Sequence, residues 1–396
     1  MLVLEALRAR FGDALVLHSG TKAKPQLTVI DGGPPGVYGD ALRPRLEALR
    51  EERGLGAATP LDVDLMMVSH IDDDHVSGLL ELVQKLNDRR ESGQPLPWKI
   101  RRFWHNSFDD ILDNDDLQVA GGGSALSAAS LGDFLAPEGS AILASVKQGR
   151  ELAKLLDALT LGGNPPFKGL VLTDGKAEAM TVGDLKITVI APRKAELAEL
   201  QKKWNKEIKP LLKKEQSRER RAEVAAYVDK SMHNLSSIVV LVESQGKRIL
   251  LTGDGRGDHT LEGLKAAKLL KGGKLRLDVL KLPHHGSERN VAPDYFETIV
   301  AKHYVVSADG KFDNPDVGTL KMISAARPDD DFTIHLTYPL DKFNVPKIGQ
   351  RVAKFFAAEK KAGRAYKVVT RAAFFSAAKN FATCCPIFAT LNLSSG

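Results

Sequence analysis

Short apolar runs alternate with amphipathic segments along most of the chain. In the first part, apolar runs predict strands near residues 2–8, 14–18, 26–30, 62–68 and 98–104, with a helix near 40–53. In the second part, predicted strands near 237–251, 275–282, 303–307 and 332–337 are separated or followed by helices near 292–301, 315–326 and 348–361. This alternation in two halves favours an α/β fold in which two sheets pack face to face with helices outside.

Two segments interrupt the alternation and are interpreted as insertions. Residues 107–180 contain a Gly-Gly-Gly-Ser stretch and helix-like sequence from 141 to 159. Residues 193–230 are rich in Lys and Arg, and apolar residues spaced by three and four predict an amphipathic helix there. We interpret that helix as a solvated face packed on the domain, the alternative being an arm that faces nucleic acid. Residues 1–396 are otherwise expected to form a single domain, with tail strands near 366–370 and 387–393.

The richest cluster of polar residues directly follows the apolar run Leu65–Val68. It contains His70, Asp72, Asp74 and His75, in the order His-x-Asp-x-Asp-His, before a predicted helix. Two imidazoles and two carboxylates within six residues cannot be buried without a counter-ion, and a divalent cation is the natural one. Nitrogen and oxygen donors suit zinc, manganese or iron, and the share of carboxylates favours manganese. The alternative is a solvated acidic turn that caps the helix.

Other candidate ligands follow later predicted strands. His233 precedes a hairpin, Asp254 follows it in a glycine-containing loop, and His284 and His285 follow the strand near 275–282. Because a rigid sheet aims the loops at its strand ends, we expect these residues to converge on one site.

These motifs together resemble the metallo-β-lactamase superfamily of hydrolases. His70, Asp74 and His75 match its first motif, His-x-His-x-Asp-His, with Asp72 in place of the second His. That departure from the lactamase pattern is usual in the branch that includes the hydrolase domain of the bacterial DNA-uptake competence protein.

The likeness to this branch extends beyond the first motif. Asp254 matches the carboxylate that bridges the metals, and Pro283–Ser287 matches the branch's last motif. The resemblance also implies a middle ligand just before the hairpin, for which His233 is favoured and the adjacent Asn234 is the alternative. The resemblance covers residues 1 to about 340 and implies an αββα sandwich with helical insertions. It also implies two divalent metal ions, manganese or zinc, which lie about 3.5–4 Å apart in such sites.

The resemblance also implies roles for individual residues. Asp74 is expected to hold one metal and orient the attacking oxygen, and one of His284 and His285 to bind metal. The other is expected to contact substrate or protonate the leaving group. Further residues that could reach the substrate are Ser307, Asp309, Asn314 and His105; an ordinary turn at 307–315 and a structural histidine at 105 are the alternatives. Asp31 is expected either to support a ligand or to belong to a turn.

Composition adds constraints on partners and compartment. The net charge is +6, which weakly favours a polyanionic substrate. The two cysteines are adjacent, with neither a disulfide framework nor zinc-finger spacing, and no signal peptide or membrane span is predicted. We therefore expect a cytoplasmic protein that does not bind membranes.

The leading hypothesis is a dinuclear metal-dependent hydrolase, a phosphodiesterase or nuclease that acts on DNA or RNA. One alternative is hydrolysis of a small ester, lactone or thioester, because metal ligands do not choose between these substrates. The other is a latent effector nuclease that a regulatory protein partner or proteolysis controls.

Overall fold

The computed structural model describes residues 2–107, 110–111, 140–176, 178–203, 206, 236–370 and 388–392. The strands in these ranges are, in chain order, β1 (Val3–Leu7), β2 (Leu15–Gly20), β3 (Pro25–Ile30), β4 (Leu61–Val63), β5 (Leu65–Met67), β6 (Trp98–Ile100), β7 (Phe103–Trp104), β8 (Ala179–Val182), β9 (Leu185–Ala191), β10 (Val239–Ser244), β11 (Lys247–Leu251), β12 (Leu275–Lys281), β13 (Ile299–Val306), β14 (Thr333–Leu336), β15 (Lys367–Thr370) and β16 (Phe388–Asn392). The α-helices are α1 (Arg43–Glu52), α2 (Asp73–Glu91), α3 (Ser140–Ala158), α4 (Lys194–Lys203), α5 (Gly257–Ala266), α6 (Pro293–Thr298), α7 (Val317–Ala326) and α8 (Pro346–Lys361).

Two large sheets organise these strands. The first has the order β16-β1-β2-β3-β5-β7, and the second has the order β15-β14-β13-β12-β11-β10-β9-β8. In the second sheet, β8 to β11 are antiparallel neighbours, whereas β11 to β15 are parallel. The carboxyl ends of β11, β12 and β13 therefore lie at the same edge of this sheet, and the loops at that edge can meet.

Apolar side chains form three layers, one between the two sheets and one between each sheet and the helices outside it. Between the sheets, Leu17 and Met67 of the first pack in one cluster with Val240 and Leu251 of the second. The outer face of the first sheet packs against α1, α2 and α3, and that of the second against α5 to α8. This is the αββα layering that was predicted. Because most strands are covered on both faces, they read as continuous apolar runs.

Several elements differ from the sequence predictions. The strand predicted near 62–68 is interrupted at Asp64, whose backbone N–H and carboxylate both bond the backbone of Leu27, so that β4 pairs with β6 and β5 joins the first sheet. The helix predicted at 292–301 ends at Thr298, because Ile299, Val300 and Ala301 pair in parallel with β12. β-branched residues fit such a buried ladder better than a helix.

The insertions and the tail are described in part. The predicted helix at 141–159 is present as α3, and its Leu152 and Leu156 are buried against the first outer layer. Of the predicted charged helix, the described part is α4 and its buried Leu197. The tail strands add to the two sheets, with β15 parallel to β14 and β16 antiparallel to β1. None of the described helices is long and apolar enough to cross a membrane.

Candidate metal centre

The first group of candidate ligands lies where β5 leads into α2. Ser69 and His70 follow β5 and are buried, and the carbonyl of Ser69 accepts the N–H of Ile238, the residue just before β10, at 2.8 Å. Asp72 has the extended backbone that precedes a helix, and His75 lies in the first turn of α2. The loop therefore sits at the seam between the two sheets and directs its side chains toward the second sheet.

Asp254 comes from the loop after β11 and is almost completely buried. Its N–H donates to Ser237 Oγ at 3.1 Å. The preceding Gly253 has a φ of +47°, and an added Cβ would lie 2.7 Å from the Cβ of Ser69. Glycine is thus needed here both for the left-handed backbone and for the close approach of the two loops.

His284 and His285 occupy two consecutive left-handed positions after β12. Their φ values are +48° and +55°, a conformation that residues other than glycine rarely adopt. The backbone N–H of His284 donates to the carbonyl of Gly253 at 3.1 Å, which ties this turn to the loop that carries Asp254. Such backbone strain persists where the surrounding structure enforces it, and it concentrates at functional sites.

The imidazoles of the four candidate histidine ligands in the described part of the chain converge on the carboxylate of Asp254. Its Oδ1 lies 3.2 Å from His75 Nε2 and 3.6 Å from His285 Nε2. Its Oδ2 lies 3.5 Å from His284 Nε2 and 3.9 Å from His70 Nε2. The two oxygens of one carboxylate therefore face two separate pairs of nitrogen donors.

The two predicted aspartate ligands of the first loop complete these groups. Asp72 Oδ2 lies 3.4 Å from His70 Nε2, beside the Asp254 Oδ2 group. Asp74 Oδ2 lies 3.3 Å from His285 Nε2, beside the Asp254 Oδ1 group. The structure thus brings together all seven predicted ligands that fall in its described part.

Partners of the other ring nitrogen hold the two histidines of the first loop. His75 Nδ1 lies 2.8 Å from Asp31 Oδ2, and Asp31 also accepts the N–H and the hydroxyl of Ser69. The same hydroxyl lies 3.1 Å from His70 Nδ1. Asp31 therefore supports a candidate ligand, which was one of its two predicted roles, and both Nε2 atoms remain directed at Asp254.

The histidine pair after β12 is held in the same way. His284 Nδ1 lies 2.8 Å from Asn290 Oδ1, while the amide of Asn290 donates to the carbonyl of Asp254 at 3.0 Å. His285 Nδ1 lies 3.0 Å from the carbonyl oxygen of Ser307. Metal-binding histidines typically donate the other ring N–H to a carboxylate, carbonyl or similar acceptor, which fixes the ring and its tautomer.

The donor set fits divalent metal ions. Within the described residues, His70 Nε2 and Asp254 Oδ1 are buried without a hydrogen-bond partner, which is costly unless something else satisfies them. Donors that bind one ion at roughly 2.0–2.2 Å lie about 3–4 Å from each other. The separations of 3.2–3.9 Å around Asp254 fall in this range. Nitrogen and carboxylate donors are those preferred by zinc and manganese.

The charges at the centre compensate one another strongly. Burial alone would lower the pKa of His285, but the carboxylates of Asp254 and Asp13 outweigh it and raise that pKa to about 9. The pKa of His75 also lies well above its ordinary value, because Asp254 and other carboxylates outweigh its burial. Burial would raise the pKa of Asp254, yet the imidazoles around it hold that pKa well below its ordinary range. Positive charge is therefore needed beside Asp254, and a cation would supply it.

A buried ion pair beneath the centre was not predicted from the sequence. Lys281 is 0% exposed, and its ammonium pairs with the carboxylate of Asp13 and donates to the carbonyl of Gly253 at 3.3 Å. Asp13 Oδ1 lies 3.5 Å from His285 Nδ1, so the pair stands behind the imidazole and away from Nε2. Lys281 occurs in a strand of mostly apolar residues, and a lysine at a buried position is the signal that could have revealed the pair.

The predicted substrate-binding residues at 307–315 lie next to the centre. Ser307 is buried, and its hydroxyl donates to the carbonyl of Gly12 at 2.7 Å in addition to its contact with His285. Asp309 accepts the N–H of Lys311 at 2.9 Å, while the amide of Asn314 approaches the carbonyl of His284 at 3.5 Å. These contacts fix the loop, and a role of these residues toward substrate stays a prediction.

The remaining predicted site residues are not placed in the cluster. His105 is buried after β7, with its backbone bonded to the side chain of Asn164 and its ring 6.0 Å from that of Phe103. Its described contacts are with these residues, and its role toward substrate stays a prediction. His233 and Asn234 lie outside the described residues, so the choice of middle ligand stays a prediction as well.

Comparison with known proteins gives likeness at the level of structure alone. No protein-family model matches the sequence, and no curated protein does. Solved structures that are similar include the metallo-β-lactamase fold protein YhfI from Bacillus subtilis, with a TM-score of 0.38, 10% identity, and coverage of 85% of this chain and 95% of that one. Zinc-bound PqqB from Methylobacterium extorquens has a TM-score of 0.40 and 10% identity, and the match covers 99% of this chain and 100% of PqqB. MEM-A1, a subclass B3 metallo-β-lactamase from a soil metagenome library, has a TM-score of 0.27 and 13% identity, and the match covers 91% of this chain and 93% of MEM-A1. At these identities and TM-scores, the likeness of the chain to these proteins concerns the fold alone.

Proposed function

We propose that the protein is a metal-dependent hydrolase that cleaves phosphodiester bonds in nucleic acid. One observation carries this proposal: four imidazoles, each held at Nδ1, present Nε2 to the two oxygens of Asp254. A set of nitrogen and oxygen donors with two separate faces is typical of sites for two divalent ions.

Two groups of side chains would hold the ions. His70, Asp72 and His284 lie with Asp254 Oδ2, and the other group lies with Asp254 Oδ1. The members of the second group are Asp74, His75 and His285. When bound, two divalent ions at such a site lower the pKa of a water molecule and neutralise charge on phosphate oxygens.

The open side of the centre is formed by two partly exposed side chains, Asp74 and His284. The Asp74 side chain is 22% exposed and that of His284 is 34% exposed, whereas His70, His75 and His285 are buried. Asp74 would accept a hydrogen bond from the attacking water and orient it. His284 would have no proton to give, because its Nδ1–H is held by Asn290 and its Nε2 would bind an ion, so the leaving oxygen would take its proton from water on this open side.

Features near the centre support a phosphodiester over an uncharged ester. The donor set is rich in carboxylates, which favour the harder cations that commonly bind phosphate oxygens. Lys311 stands in the loop that touches His284 through Asn314, and the chain carries a net charge of +6. A polyanion would be attracted by both.

The test is a cleavage assay with Mn²⁺ on single-stranded DNA, double-stranded DNA, RNA and a chromogenic phosphodiester. We expect cleavage by the wild-type protein and loss of at least a hundredfold in Asp254→Ala and Asp74→Ala, because transition-state charge stabilisation of this kind contributes about that much or more. Asp329→Ala removes an exposed carboxylate away from the cluster and should keep wild-type activity. Raising the salt from about 50 to 200 mM should weaken binding about tenfold or more if two phosphates are contacted.

Other outcomes would lead to other functions. Cleavage that persists in Asp254→Ala would come from a contaminant. A wild-type protein that is inert on every phosphodiester but hydrolyses lactones or thioesters would contradict the proposal. Inertness that ends when residues 107–230 are cut would favour a latent enzyme, and activation by an added protein would favour a regulatory partner.

A further inference from the structure

Phe312 is the exposed large hydrophobic residue of the described structure. Its side chain is 67% exposed, and its backbone has a φ of +58°, followed by +68° at Asp313. A bulky residue in the left-handed region is a conformational outlier that costs free energy. A single exposed aromatic residue needs no explanation in itself, but one that is held in a strained turn does.

The strained turn is held by contacts that do not involve the Phe312 ring. The carboxylate of Asp309 accepts the N–H of Lys311 at 2.9 Å, and its carbonyl accepts the N–H of Asn344 at 2.6 Å. Arg351 donates to the carbonyl of Asp313 at 3.4 Å. The scaffold therefore fixes the turn so that the ring of Phe312 stands in solvent.

A cation lies between this ring and a second aromatic ring. Lys311 Nζ is 3.7 Å from the ring centroid of Phe11 and 4.8 Å from that of Phe312, and the two rings are perpendicular at 5.2 Å. Lys311 makes no ion pair with any residue in the described ranges, and Asp309 bonds its backbone N–H. Cation–π contacts hold the ammonium in place while its N–H groups remain able to bind an anion.

Both segments that carry these rings contact residues of the metal centre. Two residues after Phe11, the N–H of Asp13 donates to the carbonyl of Asp74 at 3.1 Å. Two residues after Phe312, the amide of Asn314 approaches the carbonyl of His284 at 3.5 Å. Because two residues span at most about 7 Å, the aromatic pair and its lysine border the open side formed by Asp74 and His284.

We propose that Phe11, Lys311 and Phe312 form a subsite for the nucleotide next to the scissile phosphate of single-stranded nucleic acid. The base stacks on the exposed face of Phe312, and Lys311 donates to the neighbouring phosphate. The subsite rests on the proposed phosphodiesterase function and adds that the substrate must offer an unpaired base. Stacking on an aromatic side chain contributes without regard to base identity, because every base has a π-face.

The test compares two substrates in Mn²⁺: a single-stranded oligodeoxynucleotide and an abasic oligomer of the same length. On the first substrate, Phe312→Ala should lower kcat/KM by about five- to hundredfold, the range expected for one lost base stack. On the abasic oligomer it should change kcat/KM by less than about twofold, because no base is present to stack. Phe312→Tyr keeps the ring and should behave as wild type on both.

A second pair of variants tests the role of Lys311 in binding phosphate. Lys311→Ala should lower kcat/KM on both substrates to the same degree and reduce the salt dependence by about one phosphate contact. Lys342→Ala removes an ammonium that is 72% exposed in the separate turn at residues 340–342, where it lies 3.9 Å from Asp341, and it should change neither value.

The outcomes separate the subsite from the proposed function. If the wild-type protein cleaves both oligomers and Phe312→Ala lowers both equally or neither, the base-stacking subsite is wrong and the phosphodiesterase function stands. If the wild-type protein cleaves no polynucleotide, both the subsite and the proposed phosphodiesterase function are wrong. Loss of lactone or thioester hydrolysis in Phe312→Ala would then assign the ring to an apolar acyl group instead.

Discussion

At the scale of single residues, the site depends on charge compensation around one carboxylate. Asp254 is buried, and its pKa is held well below its ordinary range by the imidazoles that face it, although burial opposes this. The same interaction raises the pKa of His285 to about 9. In the metal-free protein a proton therefore occupies the position that an ion would take, and the two must compete.

This competition predicts that metal binding releases protons. Because His285 is protonated below about pH 9 in the metal-free protein, the affinity for Mn²⁺ or Zn²⁺ should rise as the pH increases toward 9. The expected change is about tenfold per pH unit for each proton displaced. Isothermal titration calorimetry in two buffers with different ionisation enthalpies would measure the number of protons. Equal enthalpies in both buffers, with an affinity that does not change between pH 6 and 9, would contradict the account.

The pair formed by Asp13 and Lys281 predicts a large effect on stability. Lys281→Met would leave the carboxylate of Asp13 buried without its partner, and breaking such a pair costs about 3–5 kcal/mol. Urea unfolding of the metal-free protein would measure this loss, and Asp13→Asn/Lys281→Met should recover much of it. The matched control is Lys302→Met, which removes a 67% exposed lysine from its contact with Asp278 and should cost less than about 1 kcal/mol. Equal losses of unfolding free energy in Lys281→Met and Lys302→Met would show that burial gives the Asp13–Lys281 pair no larger effect on stability.

At the scale of elements, the site is built where strands end and helices begin. The segment after β5 carries the first candidate ligands, the loop after β11 carries Asp254, and the turn after β12 carries His284 and His285. Glycines let these segments approach one another. An added Cβ on Gly78 of α2 would collide with the carbonyl oxygen of Gly32, in the loop that carries Asp31.

This close approach predicts a difference between two glycine-to-alanine variants. Gly78→Ala should push α2 away from the loop of Gly32, lower the free energy of unfolding by about 1–3 kcal/mol and weaken metal binding. Gly39→Ala is the control, because its added Cβ would meet nothing within 4 Å in a helical segment and should be neutral or stabilise by up to about 1 kcal/mol. Thermal unfolding with and without metal would compare them. A Gly78→Ala protein as stable as Gly39→Ala would mean that α2 can shift without cost.

At the scale of the whole molecule, two sheets bring together residues that are far apart in the sequence. The alternation of apolar runs and helices predicts the αββα layering. The polar residues that follow strands predict Asp254 and the six other candidate ligands that lie around it. Each of these signals is local, because a strand and its following loop are contiguous. What could not be predicted depends on pairing across the chain: the partnership of Asp13 with Lys281, and the position of Phe11 beside Phe312. Such contacts are fixed by how the two sheets pack, which no local pattern encodes.

The central claim is that Asp254 bridges two metal ions, and anomalous diffraction from crystals grown with Mn²⁺ would test it most directly. We expect two anomalous peaks, one on each side of the Asp254 carboxylate and about 3.5–4 Å apart. One should lie within coordination distance of His70, and the other within coordination distance of His75 and His285. A map with no peak beside Asp254, or with manganese bound only elsewhere on the chain, would contradict the account.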